Sequence, residues 1–106
     1  PVAQRRIERL LQQVETNAGS SDLGLEGLSR LVHMSPAGLS RFFRQRTGRT
    51  LISHIIQTRL GMACRRLIDT DDGVAVVAFS CGFENLANFN RHFRKALGMT
   101  PTAYRD

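Results

Sequence analysis

VVAFSCGFENLANFNRHFRKALGMTPTAYR, residues 76–105, carries three helix boundaries. Val77, Ala78 and Cys81 continue an apolar stripe begun at Val74, and Gly82 then permits a tight turn. Asn85 offers a side-chain oxygen to cap the free amides of the next helix. Phe89, Phe93 and Leu97 recur at helical spacing, and Gly98 terminates that helix. Thr100 and Pro101 restart a last turn of helix, with proline where its missing N–H costs nothing. A short helix, a tight turn and a basic amphipathic helix make a helix-turn-helix unit. Ala78, small and four residues before Gly82, lets two helices cross closely.

The unit has an echo. RFFRQRTGRT (41–50) and RHFRKALGMT (91–100) both read Arg-x-Phe-Arg-x-x-x-Gly-x-Thr. Ser35 and Pro36 repeat the start signal, Leu39, Phe42 and Phe43 face inward, and Gly48 closes the helix. Ahead of it lies a short stripe of Leu25, Leu28, Leu31 and Val32. Ser29 and His33 stand where the second unit has Ala78 and Gly82, and histidine tolerates positive φ better than most residues. Between the units, a helix over about 51–68 buries Ile52, Ile55, Ile56, Leu60, Ala63 and Leu67 before DTDDG breaks it. A first helix over residues 2–17 puts Ile7, Leu10, Leu11 and Val14 on one stripe. NAGSSD follows as a loop, with Asn17 and Gly19 suited to left-handed backbone. No segment alternates apolar and polar over a strand's length. The expected fold is all-α: two helix-turn-helix subdomains, 1–50 and 70–106, joined by a long linker helix over 51–69.

Charge bears on the partner. The net charge is +6, and fourteen of the fifteen basic residues are arginine. No acid occurs from Gly27 to Ile68, where Arg30, Arg41, Arg44, Arg46, Arg49, Arg59, Arg65 and Arg66 fall. Asn85 to Arg105 repeats the pattern with Arg91, Arg94, Lys95 and Arg105. Acids gather at Glu8, Glu15, Asp22 and Glu26 and again at Asp69, Asp71 and Asp72. Such segregation suits a polyanion partner, and arginine's planar fork meets phosphate and guanine edges bidentately. The plain alternative is a solvated basic surface with no partner of that kind.

On the 36–47 helix the outward residues are Ala37, Ser40, Arg41 and Arg44; on the 85–97 helix they are Ala87, Asn90, Arg91 and Arg94. Small residues allow close approach to the major groove, methyl groups touch thymine, and arginine forks onto guanine. The amino ends near Ser35 and Asn85 present backbone amides to phosphates.

Other chemistries fare poorly. Ser53 and His54 adjoin, but helix neighbours point different ways and no acid orients them, so no catalytic residue is expected and the chain reads as no enzyme. Cys64 and Cys81 read as buried free thiols of a reducing, cytoplasmic protein, with no Cys or His at metal-ligand spacing. Glycine loops for phosphate or dinucleotide cofactors are absent, so cofactors and metals are expected to be none. No apolar run approaches the roughly 20 residues of a membrane span. His33, His54 and His92 are expected at the surface or half-buried, and Met34, Met62 and Met99 in the core. The six Phe read as mostly buried and Tyr104 as isolated, which argues against RNA stacking. A second reading, of a different class, is a basic helical protein-interaction module without sequence-specific readout. The first residue is Pro rather than Met, so the chain reads as a piece of a longer protein.

These motifs resemble the DNA-binding domain of the AraC/XylS family of bacterial transcription regulators. The resemblance runs from about Ile7 to Arg105: residues 76–105 as the second helix-turn-helix signature, MSPAGLSRFFRQRTG (34–48) as the first, and RLGMACRRLI (59–68) as the connecting helix. It implies roughly seven helices, with recognition helices at 36–47 and 85–97 entering successive major-groove segments one helical turn of DNA apart, about 34 Å. It implies base contacts from Ala37, Ser40 and Arg41, and from Leu86, Ala87, Asn90 and Arg91. Arg44, Asn88 and Arg94, with Ser35 and Asn85, fall to the phosphates. It also implies double-stranded promoter DNA as partner, contact with RNA polymerase during activation, and an effector bound by an N-terminal domain outside this chain. The piece alone is expected to be monomeric. Ala37 and Gly38 are smaller than the residues often found there, and Leu86 and Ala87 offer no hydrogen bonds, so readout rests chiefly on Arg41 and Arg91.

Overall fold

A computed structural model describes all 106 residues as seven α-helices: α1 Val2–Asn17, α2 Leu25–Leu31, α3 Pro36–Thr47, α4 Leu51–Asp69, α5 Val74–Ser80, α6 Leu86–Leu97 and α7 Pro101–Arg105. The molecule is elongated, 45 × 22 × 22 Å. Its length follows from two separate cores strung along α4, whose 19 residues span about 28 Å at 1.5 Å per residue. Leu51 and Ile55 of α4 join Leu10, Val14, Leu28, Val32, Leu39 and Phe43 in the first core. Leu60, Ala63 and Leu67 join Val77, Ala78, Cys81, Phe83, Phe89 and Phe93 in the second. No helix is long and apolar enough to cross a membrane.

Four side-chain caps punctuate the chain, two in each half. Ser35 Oγ accepts from the Gly38 amide at 3.0 Å and Thr50 Oγ1 from Ser53 at 3.1 Å. Asn85 Oδ1 accepts from Asn88 at 2.9 Å and Thr100 Oγ1 from Ala103 at 3.2 Å. Each such cap is worth about 1 kcal/mol over alanine. Gly48 (φ 79°) and Gly98 (φ 74°) close α3 and α6 in left-handed backbone, donating to the Arg44 and Arg94 carbonyls.

The two tight turns repeat bond for bond, 49 residues apart. Met34 donates to the Ser29 carbonyl at 2.9 Å and Phe83 to Ala78 at 3.1 Å; His33 donates to Arg30 and Gly82 to Phe79, both at 3.2 Å. His33 (φ 58°) and Gly82 (φ 95°) hold the left-handed position of each turn. Ser29 is buried where Ala78 is, its hydroxyl donating to the Glu26 carbonyl at 2.7 Å. Because α3 and α6 start 50 residues apart, the second turn is one residue longer, and Glu84 is the extra residue before the cap.

Several expectations need correcting. Asn17 is the last residue of α1 and Ala18 follows in right-handed backbone, so neither Asn17 nor Gly19 is left-handed. A tertiary donor takes the place of that cap: Arg59 Nε reaches the Ala18 carbonyl and its Nη2 the Ser20 carbonyl, both at 2.8 Å. Ile52 is exposed, since α4 turns its apolar stripe from one core to the other and Ile52 belongs to neither. Met99 is exposed beyond the closing Gly98; the phenylalanines are mostly buried as expected, Phe79 being the exposed one, with Val76 on the outer face of the short α5. Cys64 is half-buried rather than buried, and Cys81 is the buried cap residue of α5 rather than a residue within it. Tyr104 is not isolated; its ring meets Phe93 edge-on at 5.6 Å.

Candidate nucleic-acid interface

Helices α3 and α6 each bury one stripe and expose the other. Leu39 and Phe43, like Phe89 and Phe93, are fully buried, which fixes each helix's rotation. That rotation leaves Ala37, Ser40, Arg41 and Arg44 exposed on α3, and Leu86, Ala87, Asn90, Arg91 and Arg94 exposed on α6. Ser35 and Asn85 are exposed at the amino ends, with their side-chain oxygens already engaged as caps. What each end leaves for an anion is therefore its remaining first-turn amides.

Beside each helix runs a cleft, and the two clefts are equivalent by the repeat. The first, about 450 Å³, is lined by Ser40, Arg41 and Arg44 on one wall and Thr50, Leu51 and Ile52 on the other, with Leu25 at its end. The second, about 540 Å³, has Asn90, Arg91 and Arg94 facing Thr100, Pro101 and Thr102, with Val74 and Leu86 completing it. Each basic helix thus stands against the start of the next helix, and Thr50 and Thr100 line the pair of clefts. From the sequence Thr100 reads only as a cap and Thr50 carries no assigned role; the shared Gly-x-Thr ending of the two basic segments is the signal for a common one.

The guanidiniums differ in what holds them. Arg91 Nη2 donates to the Asn88 side-chain oxygen, so one edge of its fork is anchored one turn back on the same helix. Position 38, the counterpart of Asn88, is glycine, and the Arg41 side chain has no equivalent anchor. Asn88 is half-buried and faces a third cleft, of about 300 Å³, between the two halves, with Ile52, Arg59, Phe83 and Glu84. Placed there, the Asn88 side chain serves Arg91 within the chain.

Not every arginine of the acid-free segments belongs to the basic face. Arg59 is spent on the α1–α2 loop; burial lowers its pKa, and Glu84 nearby opposes that. Arg105 Nε donates to the Leu67 carbonyl at 2.9 Å and Nη2 to Thr70 at 3.2 Å, tying α7 to the end of α4. Arg49 donates to the Gln57 side chain at 3.2 Å. His92, beside Arg91, is held below the usual histidine range by burial first and by Arg91 and Lys95 next. It is therefore neutral at neutral pH and adds no charge to the face.

Residues 28–106 match a helix-turn-helix domain family. The chain is 36% identical over 84 residues to the HTH-type transcriptional regulator YobQ of Bacillus subtilis, which covers 79% of this chain and 35% of YobQ. It spans between 27% and 47% of the length of the first three curated relatives it matches. A probable AraC family transcriptional regulator from Rhodopseudomonas palustris superposes with a TM-score of 0.86 at 27% identity, covering 95% of this chain and 94% of that one. The DNA-binding domain of the global transcriptional factor AdpA, solved in complex with a target DNA, superposes with a TM-score of 0.79 at 30% identity, covering 97% and 88%. With two matching helix-turn-helix units on one bridging helix, this chain belongs to the AraC/XylS family of transcription regulators, as their helix-turn-helix domain.

Proposed function

We propose that this chain binds double-stranded promoter DNA sequence-selectively, with α3 and α6 in successive major-groove segments on one face of the duplex. The observation that carries the reading is the duplicated surface: two exposed faces of small, polar and arginine residues, each beside an equivalent cleft. The long dimension of 45 Å accommodates readers one helical turn apart, about 34 Å. The AdpA domain, similar over nearly the whole chain and solved with a target DNA, supports the same reading. Ala37, Ser40 and Arg41 on one helix and Leu86, Ala87, Asn90 and Arg91 on the other take the bases. Arg44 and Arg94 take phosphates, with the amide ends at Ser35 and Asn85 and the amide nitrogen of Asn88. Because one chain carries both readers, a single copy suffices for a two-segment site, and the role is binding rather than catalysis.

Selection from a random duplex library at moderate salt, followed by sequencing, tests this. Two enriched blocks about one helical turn apart are expected. A single block would leave one helix clamping phosphates only. Retention without enrichment would make the chain a non-specific DNA binder, and no retention at low salt would turn the basic faces toward an acidic protein partner.

A further inference from the structure

A third basic surface lies outside both reading faces. The amino-terminal half of α1 places Arg5, Arg6 and Arg9 around one cleft of about 350 Å³. Its opposite wall is His33, in the turn that leads into α3, with Val2 and Val32 between them. No carboxylate lines the cleft, and the nearest acid on the helix, Glu8, accepts a hydrogen bond from Gln4 instead.

This placement opposes the stability of α1. The first turn of the helix holds no acidic residue, and Arg5 sits at the positive end of the helix dipole. Arg5 and Arg9, four residues apart on one face, repel each other. Arginines gathered at one cleft with no carboxylate on its walls are positive charge available to an anionic partner.

We propose that this cleft binds the sugar-phosphate backbone of the duplex flanking the segment read by α3, extending the contact beyond the two major-groove segments. His33 precedes the α3 cap Ser35 by two residues, so the arginines stand beside the end of α3 that enters the groove. Three arginines lining one cleft supply the positive charge that backbone phosphates take, and such a contact carries no base preference. The inference rests on the DNA-binding reading above, and the test separates the two.

The experiment measures affinity and its salt dependence with three duplexes. One is trimmed to the selected site, one is extended by a helical turn on the α3 side, and one is extended equally on the α6 side. The wild-type chain is compared with the triple variant Arg5→Gln, Arg6→Gln, Arg9→Gln. Extension on the α3 side is expected to tighten wild-type binding by about tenfold or more at low salt, with a salt slope steeper by roughly two to three. The triple variant is expected to lose that gain, keep its affinity and base preference on the trimmed duplex, and melt no lower than the wild type. Equal gains on the two sides, or a variant that keeps the α3-side gain, overturns the proposal. So does a variant that weakens on the trimmed duplex as much as on the extended one. Failure of the wild type to select any trimmed site overturns the DNA reading itself, a different result from loss of the flank alone.

Discussion

The two halves of the molecule are built on one plan with different fillings. In the second core Phe83, Phe89, Phe93 and Tyr104 form a chain of aromatic contacts, with neighbouring ring centroids 5.1–5.6 Å apart. The equivalent positions of the first are Met34, Leu39, Phe43 and His54, where only the Phe43–His54 pair survives, at 5.7 Å. Caps, terminating glycines and the turn hydrogen bonds are shared. Backbone signals set the plan, and very different side chains can complete the core around it. The outward faces differ too: α6 anchors its arginine through Asn88, whereas α3 has glycine in that place.

The sharpest break in the comparison lies at the left-handed turn residue. A Cβ on Gly82 would stand 2.4 Å from the Ala18 carbonyl oxygen and 2.7 Å from Arg59 Nε. Gly82→Ala is therefore expected to cost about 3 kcal/mol or more in denaturant unfolding, whereas His33→Gly at the matching turn changes stability by about 1 kcal/mol or less. Similar small effects at both positions would show that the second turn yields as easily as the first.

Next comes the clamp that the first half borrows from α4. Arg59→Ala leaves the Ala18 and Ser20 carbonyls unpaired, and a loss of about 1–3 kcal/mol is expected in the same measurement. No loss would mean that water replaces the guanidinium at no cost.

For DNA, Arg41→Ala and Arg91→Ala are each expected to cost roughly 1–3 kcal/mol at the preferred site and to relax one base position. The Arg91 position is expected to be the more selective, because Asn88 presets its fork, and Asn88→Ala should blunt that selectivity. Equal selectivity at both positions, untouched by Asn88→Ala, would dismiss the anchor. Arg44→Ala and Arg94→Ala should weaken all sequences alike and lower the salt slope by about one. A strongly sequence-selective loss from either would contradict the phosphate role.

The smallest expected effect is on acid sensitivity. His54 is held below its ordinary value of 6.5 by burial first, then by Arg49, with Glu15 opposing, and its buried Nδ1 has no hydrogen-bond partner. The unfolded chain takes up that proton at higher pH than the folded one. Stability is thus full above about pH 7 and falls as pH drops below the unfolded value. His54→Tyr copies the second core and is expected to flatten the part of this slope that His54 carries, leaving that of His92. An unchanged slope in stability against pH would assign the effect to His92 alone.

Most of the fold was legible because its signals are local. Ser35–Pro36, Asn85, Thr100–Pro101 and the glycines at 48, 82 and 98 act on backbone within a few residues, and all sit where sequence reading put them. The outward residues of α3 and α6 were legible for the same reason, since helical period ties them to the buried stripe. Ile52 and Met99 were misread because an apolar residue at helical spacing does not announce whether a neighbouring element covers it.

The sequence alone therefore determined seven helices, their boundaries and which face of each reading helix is polar, through caps, glycine backbone and periodicity. Tertiary structure decided what depends on distance through space rather than along the chain. It committed Arg59 and Arg105 to carbonyls 41 and 38 residues away, removing them from the basic face. It set Thr50 and Thr100 opposite the reading arginines and brought Arg5, Arg6 and Arg9 beside His33. A guanidinium's partner is chosen by whichever acceptor packing brings within about 3 Å, and no local pattern encodes that choice.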